Sequence, residues 1–258
     1  MAIENIEQSL EKNGWFIHAS EDYQGLEESR KLICDSLRTS HGLRESNDEK
    51  LLNNIHNLID GMNDAKANEL VVNLLGELKN KIDLGNTVYK NSASTITRFL
   101  GNDIAVQRNQ NLVFQYPNSQ RYSELHTDSP NNSPYELVYW IPLVDCHGTK
   151  SFYLVNRQDT RVLLGNYYDN KYESWNDFRQ DCIEAATHLE IKYGEVLGFW
   201  SGLLHGSMVN TSNESRLSLN IRFKNLFAPY GKKDPFVFYE PLKISALTMM
   251  ALEQESHD

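Results

Sequence analysis

GEVLGFWSGLLHGSMVNTSNESR, from Gly194 to Arg216, runs on as LSLNIRF to Phe223, and this stretch decides how the chain is read. Its last part alternates strictly. Arg216, Ser218, Asn220 and Arg222 fall on one face, and Leu217, Leu219, Ile221 and Phe223 on the other. Period two is the mark of a strand with one apolar side and one polar side. A polar side with two arginines is either a solvated sheet face or the lining of an interior that meets water or an anion, because a buried guanidinium without a partner is costly. Comparable short runs, rich in β-branched and aromatic residues, occur at 103–107, 111–116, 136–143, 151–155, 160–164 and 196–200. So many strands without alternating helices predict an antiparallel sandwich or barrel.

The first hundred residues have a different texture. Residues 3–12 read as a helix stopped by Asn13-Gly14, followed by a strand at Trp15, Phe16 and Ile17. Residues 22–39 return to helix, with Leu26, Leu32, Ile33 and Leu37 spaced for one buried face. Within 47–82, Leu51, Leu52, Ile55 and Leu58 form one helical stripe, and Leu70, Val71, Leu74, Leu75 and Leu78 a second, with the break at Gly61 and Asn63. These stripes read as core packing. Residues 165–190 carry Tyr167, Tyr168, Tyr172, Trp175 and Phe178 among polar residues, as a helix-containing insertion near a cavity mouth would. From Pro241 a terminal helix is expected over Leu242–Leu252. The whole, 1–258, reads as a single domain: a mainly helical flank over 1–100, a core over 101–227 with the 165–190 insertion, and a tail over 228–258.

Composition narrows the function. With 25 basic and 35 acidic side chains the net charge is −10 among 258 residues, which repels phosphate backbones and anionic lipid. Nucleic acid and membrane are therefore not expected partners; a small molecule is. Cys34, Cys146 and Cys182 are too scattered for a zinc site or redox pair and read as buried free thiols. With no apolar signal core near the start, a cytoplasmic location is expected.

The chemistry concentrates in two segments. In SELHTDSP, His126 and Asp128 are two apart, so on a strand both would point the same way and grip one metal ion. Such a pair alone is a frequent coincidence. His205 follows an apolar run, and a later strand of a closed sheet would bring it to the same cavity; alone it reads as a core or rim histidine. Together, two histidines and one carboxylate leave metal positions open and suit non-haem Fe(II). Arg216, on the polar face, suits bidentate capture of a carboxylate.

The segments at 125–128 and 194–216 resemble the Fe(II)/2-oxoglutarate-dependent dioxygenases, in the phytanoyl-CoA hydroxylase-like branch. That family pairs His-x-Asp with a distant His and an Arg eleven residues beyond it, as His205 and Arg216 are here. The HGS-x-x-N-x-S run and the NGWFI opening are similar too. The resemblance implies a mixed α/β, mainly β fold: a double-stranded β-helix (jelly roll, cupin-like) barrel flanked by N-terminal and C-terminal helices. It implies that His126, Asp128 and His205 bind iron, that Arg216 grips the distal carboxylate of 2-oxoglutarate, and that O₂ is consumed. It places Ser207 and Trp140 beside the same co-substrate, although Trp140 reads equally as core. Ser218, facing with Arg216, would add a hydroxyl. Residues 115–152 look like a subgroup found beside carbohydrate and antibiotic-sugar genes, which suggests hydroxylation of a sugar or sugar-derived metabolite. Rings at Trp175 or Tyr172 could then stack on it, and Arg121 or Arg222 could meet a phosphate or carboxylate. The rival readings are a cupin-type metal-dependent isomerase or epimerase and a catalytically silent binding protein of the same fold.

Overall fold

The computed structural model describes residues 3–109, 111–129 and 131–255; Pro130 of the His126 segment and the last three residues of the tail lie outside the described residues. The chain opens with α1 (Ile3–Asn13) and β1 (Trp15–Ala19). Five helices follow: α2 (Tyr23–His41), α3 (Asp48–Leu58), α4 (Asp64–Leu78), α5 (Leu84–Lys90) and α6 (Ala93–Leu100). The side chains of Asp22, Asn47, Asn63 and Asp83 each accept the backbone N–H three residues on, capping α2 to α5 at their first turns. Then come β2 (Ile104–Gln107), β3 (Asn111–Gln115), β4 (Glu136–Pro142) and β5 (Tyr153–Val155), the helices α7 (Arg157–Tyr168) and α8 (Trp175–Glu184), and β6 (Ala186–His188). The last elements are β7 (Glu195–Trp200), β8 (His205–Gly206), β9 (Arg216–Asn225), α9 (Pro235–Phe238), β10 (Tyr239–Lys243) and α10 (Ala246–Glu255).

The strands form two antiparallel sheets, so the chain is mixed α/β with a β core. The larger sheet has the order β1-β7-β4-β9-β2-β10, with β3 also paired to β9; the smaller has the order β6-β5-β8. β9 is the spine of the larger sheet. β4 lies along one edge, while β3 takes residues 216–220 of the other edge and β2 takes 223–225. The alternation in its sequence is realised. Leu217, Leu219, Ile221 and Phe223 belong to the main apolar core, together with residues of α2 to α6. On that side Phe16, Tyr139 and Phe223 meet edge to face. Gly198 makes room for this, since a Cβ there would stand 2.3 Å from the Phe16 ring. On the opposite side Trp140 and Phe199 meet Phe152, next to β5, at ring distances of 5.0 and 6.1 Å, so the two sheets face each other. β1, from the helical flank, and β10, from the tail, are both strands of this one sheet.

Four sequence expectations are corrected. Residues 160–164 are not a strand but the middle of α7, whose cap Asn156 accepts from the Asp159 N–H; the exposed Val162 and the buried Thr160 and Leu163 follow a helical period. The inserted helices therefore span 157–184, earlier than the 165–190 expected. The terminal helix is α10, not 242–252, and Pro241 sits instead in β10, paired with Ala105 beside a bulge. An edge strand tolerates a residue without an N–H. Leu32 and Leu58 are exposed at 39% and 38%: Leu32 is turned off the stripe set by Leu26, Ile33 and Leu37, and Leu58 closes α3 beyond Ile55. The three cysteines are free and buried.

Candidate metal centre

His126 and His205 are brought face to face by their backbones. The His126 N–H donates to the His205 carbonyl at 3.0 Å and the His205 N–H donates back at 2.9 Å. Such a reciprocal antiparallel pair puts its two side chains on one side. The rings lie 4.2 Å apart. The same ladder continues to Ser207, whose N–H donates to the Ser123 carbonyl while its Oγ accepts from the Ser123 N–H. Gly206 between them has to lack a side chain: a Cβ would lie 2.7 Å from the Tyr153 hydroxyl and 3.0 Å from the Ser123 carbonyl.

Asp128 reaches the pair differently from the sequence expectation. His126 makes an isolated bridge rather than part of a strand, and Asp128 lies on a bend. Strand alternation therefore does not align them. The bend does, held by the Asp128 and Ser129 N–H groups donating to the Ser201 carbonyl at 3.0 and 3.1 Å. One ligating atom from each of His126, Asp128 and His205 lies within 4.8 Å of the others, and no further group of three or more metal-capable side chains occurs among the described residues.

The donor chemistry fits a divalent transition metal. Nδ1 of His126 lies 2.7 Å from the Glu124 carbonyl and Nδ1 of His205 lies 2.8 Å from the Leu203 carbonyl. A carbonyl only accepts, so both Nδ1 atoms carry a proton, and the neutral form of each ring has its lone pair on Nε2, the tautomer a ligand needs. Burial, with His126 alongside, pushes His205 down to about 4, so its ring is neutral near pH 7. Burial would raise the Asp128 carboxyl, but the Arg222 guanidinium and both imidazoles outweigh it and hold the group below its ordinary range. Arg222 binds this carboxylate through both oxygens, Nη2 to Oδ1 at 2.7 Å and Nε to Oδ2 at 3.2 Å.

Arg216 is built into the same cavity and has no carboxylate. It is 4% exposed, its Nη1 donates to the Lys150 and Ser151 carbonyls at 3.1 and 3.0 Å, and its Nε is buried without an acceptor. Burial lowers its pKa, which registers the cost of a lone charge in the interior. Trp140 flanks it, with the guanidinium carbon 5.9 Å from the ring. Ser218, next on that face of β9, has a buried Oγ with no partner.

His126, His205, Trp140, Ser207, Arg216 and Arg222 line one cavity of about 300 Å³, with Asn111, Val113, Ser123, Phe152, Phe199, Gly206 and Asn220 completing its wall. Larger clefts exist, one of about 710 Å³ between α1 and α7, but they lack a metal-capable cluster. Of the anion-binding candidates, Arg222 is engaged by Asp128 and Gln107, and the exposed Arg121 donates to Asn68. Trp175, Tyr167, Tyr172 and Phe178 pack on one another and do not line the cavity. Sequence reading missed Asn111, Val113, Phe152 and Phe199: the first two have no motif around them, and the two phenylalanines lie in stretches read for other residues. It placed Arg222 on the correct face and missed its partner.

No protein-family model matches the chain, and no curated protein matches it in sequence. Solved structures do match in shape. A structure described as a non-heme monooxygenase, ThoJ–Ni complex, is 14% identical, covers 94% of this chain and 85% of its own, and has a TM-score of 0.51. HygX from Streptomyces hygroscopicus, with nickel and 2-oxoglutarate bound, is 11% identical over 88% of each chain, with a TM-score of 0.52. AviO1 from Streptomyces viridochromogenes Tue57 is 14% identical over 88% of this chain and 97% of its own, with a TM-score of 0.50. The chain therefore shares its fold with these structures, and a His–Asp–His cluster lies where β8 meets the His126–Asp128 segment.

Proposed function

We propose that the chain is an enzyme, a non-haem Fe(II)- and 2-oxoglutarate-dependent dioxygenase, and that its sheets form the double-stranded β-helix of that class in a single domain. One observation carries the proposal: a cluster of two imidazoles and a carboxylate shares a cavity with a buried arginine that has no carboxylate of its own. His126, Asp128 and His205 would hold the metal on one side and leave its other positions open. Bound Fe(II) would supply the redox chemistry with O₂ and the 2-oxo acid. Arg216 would anchor the distal carboxylate of 2-oxoglutarate through its unused Nε and Nη2, with Ser218 and Ser207 offering hydroxyls. Trp140, 5.9 Å from the guanidinium carbon, would flank that end. HygX, which shares the fold, holds nickel and 2-oxoglutarate, in line with this assignment.

The substrate would be small and polar, a sugar or sugar-derived metabolite, most simply hydroxylated. What supports this is the neutral amide wall of the cavity: Asn111, and Asn220 with its Oδ1 unpartnered, suit hydroxyl groups.

The test needs no substrate. Anaerobic titration with Fe(II) and then 2-oxoglutarate should develop the weak visible charge-transfer absorption of a 2-oxo acid chelated to Fe(II). Arg216→Ala should remove it at modest co-substrate concentration. Iron binding without the absorption would point to a metal-dependent isomerase, and no iron binding to a silent binding protein.

A further inference from the structure

Asp128 is the one member of the cluster that the backbone bridge between His126 and His205 does not hold. Its backbone sits on a bend, and its side chain owes its direction to contacts rather than to a ladder. Those contacts form a directed chain. Arg222 projects from β9, the spine of the sheet, and grips both oxygens of Asp128 at 2.7 and 3.2 Å. Arg222 Nη1 donates to Gln107 Oε1 at 3.1 Å, on β2. Gln107 Nε2 donates to the Asn109 carbonyl at 2.6 Å. That carbonyl can only accept, so the amide of Gln107 cannot flip, and its oxygen stays aimed at Arg222.

Charge alone argues against this arrangement beside a metal. A guanidinium repels a dication and draws charge from the carboxylate that must bind it. Orientation argues for it. A carboxylate offers about four lone-pair sites, so two donors leave capacity for an ion. A free Asp side chain would lose its rotamer freedom on binding, and a clamped one has already lost it.

We infer that Arg222 is a positioning residue for the metal centre: it holds Asp128 in the orientation that meets His126 and His205, and Gln107 in turn sets Arg222. The inference rests on the metal reading above, and its test separates the two. The probe is Co(II), added to the metal-free full chain; its affinity, the visible d–d spectrum at saturation, and the melting temperature without metal are recorded. R222K keeps the charge and loses the fork, and should weaken Co(II) binding roughly 10- to 100-fold and shift the saturated spectrum. Gln107→Leu keeps Arg222 and removes its guide. It should move both readouts in the same direction by a smaller factor, and it carries the test if R222K does not fold. Wild-type affinity and an unchanged spectrum in R222K, whatever its melting temperature, would leave Arg222 a merely structural ion pair and overturn the inference alone. Tighter binding in Arg222→Met would overturn it too, by showing that charge outweighs orientation. If the wild-type chain binds no Co(II), the metal reading falls and this inference with it.

Discussion

Arg216 and Arg222 stand on the same face of β9 and line the same cavity, yet the two ends of the strand treat the same side chain in opposite ways. At the Arg222 end the charge is answered inside the chain, by Asp128 and Gln107. At the Arg216 end it meets only two backbone carbonyls and keeps an unpartnered Nε. A buried charge pair and a buried lone charge have different energetics: breaking the first strands a charge, whereas the second is already stranded. The lesson is that an unanswered charge lining the same cavity as a metal-capable cluster marks where a ligand would be held.

The largest effect should come from breaking the answered end. Asp128→Ala strands Arg222 and should cost about 3–5 kcal/mol of metal-free stability, read from the urea midpoint, while abolishing Fe(II) binding. Arg216→Met should do the reverse. It removes a charge that has no partner, so metal-free stability should change by less than about 1 kcal/mol, while 2-oxoglutarate binding, followed by calorimetry, weakens roughly 100-fold. Equal losses of stability in the two variants would erase the distinction between the ends.

A third measurement sharpens the description of the answered end through its neighbour. His205 titrates near 4 in the folded chain, against about 6.5 when unfolded. Between these values the unfolded chain takes up a proton that the folded chain refuses. Metal-free stability should therefore be full above about pH 6.5 and fall as the pH drops toward 4. His205→Asn should flatten that slope in urea unfolding at pH 5 and pH 7; an unchanged slope would mean that the ring is not held neutral by burial. The smallest effect belongs to the lone end. Ser218→Ala should weaken 2-oxoglutarate about 2- to 10-fold and leave Fe(II) affinity unaltered. A matching loss of Fe(II) affinity would merge the two ends into one site.

Much of this was legible before folding. Strict alternation put Arg216, Ser218, Asn220 and Arg222 on one face of a strand, and the structure keeps them there. The helices over 22–39 and 47–82 were legible from their apolar stripes, and the caps at Asp22, Asn47 and Asn63 are what the structure adds at their starts. Residues 160–164 misled because three apolar residues in a short run suit either period, and the Asn156 cap, outside the run, decides for helix. Residues 239–243 misled because Pro241 opens helices as readily as it sits on edges.

The sequence by itself determined which residues could serve: two histidines, a carboxylate and an arginine at a telling spacing, with a β-rich second half to hold them. Only the tertiary structure decided how they meet. The His126–His205 bridge joins segments far apart in the chain, and Asp128 arrives on a bend steered by Ser201 and Arg222. Local patterns record which face a side chain takes, because that follows from backbone period. They do not record which charge is answered, because that depends on what the folded sheet places across the cavity.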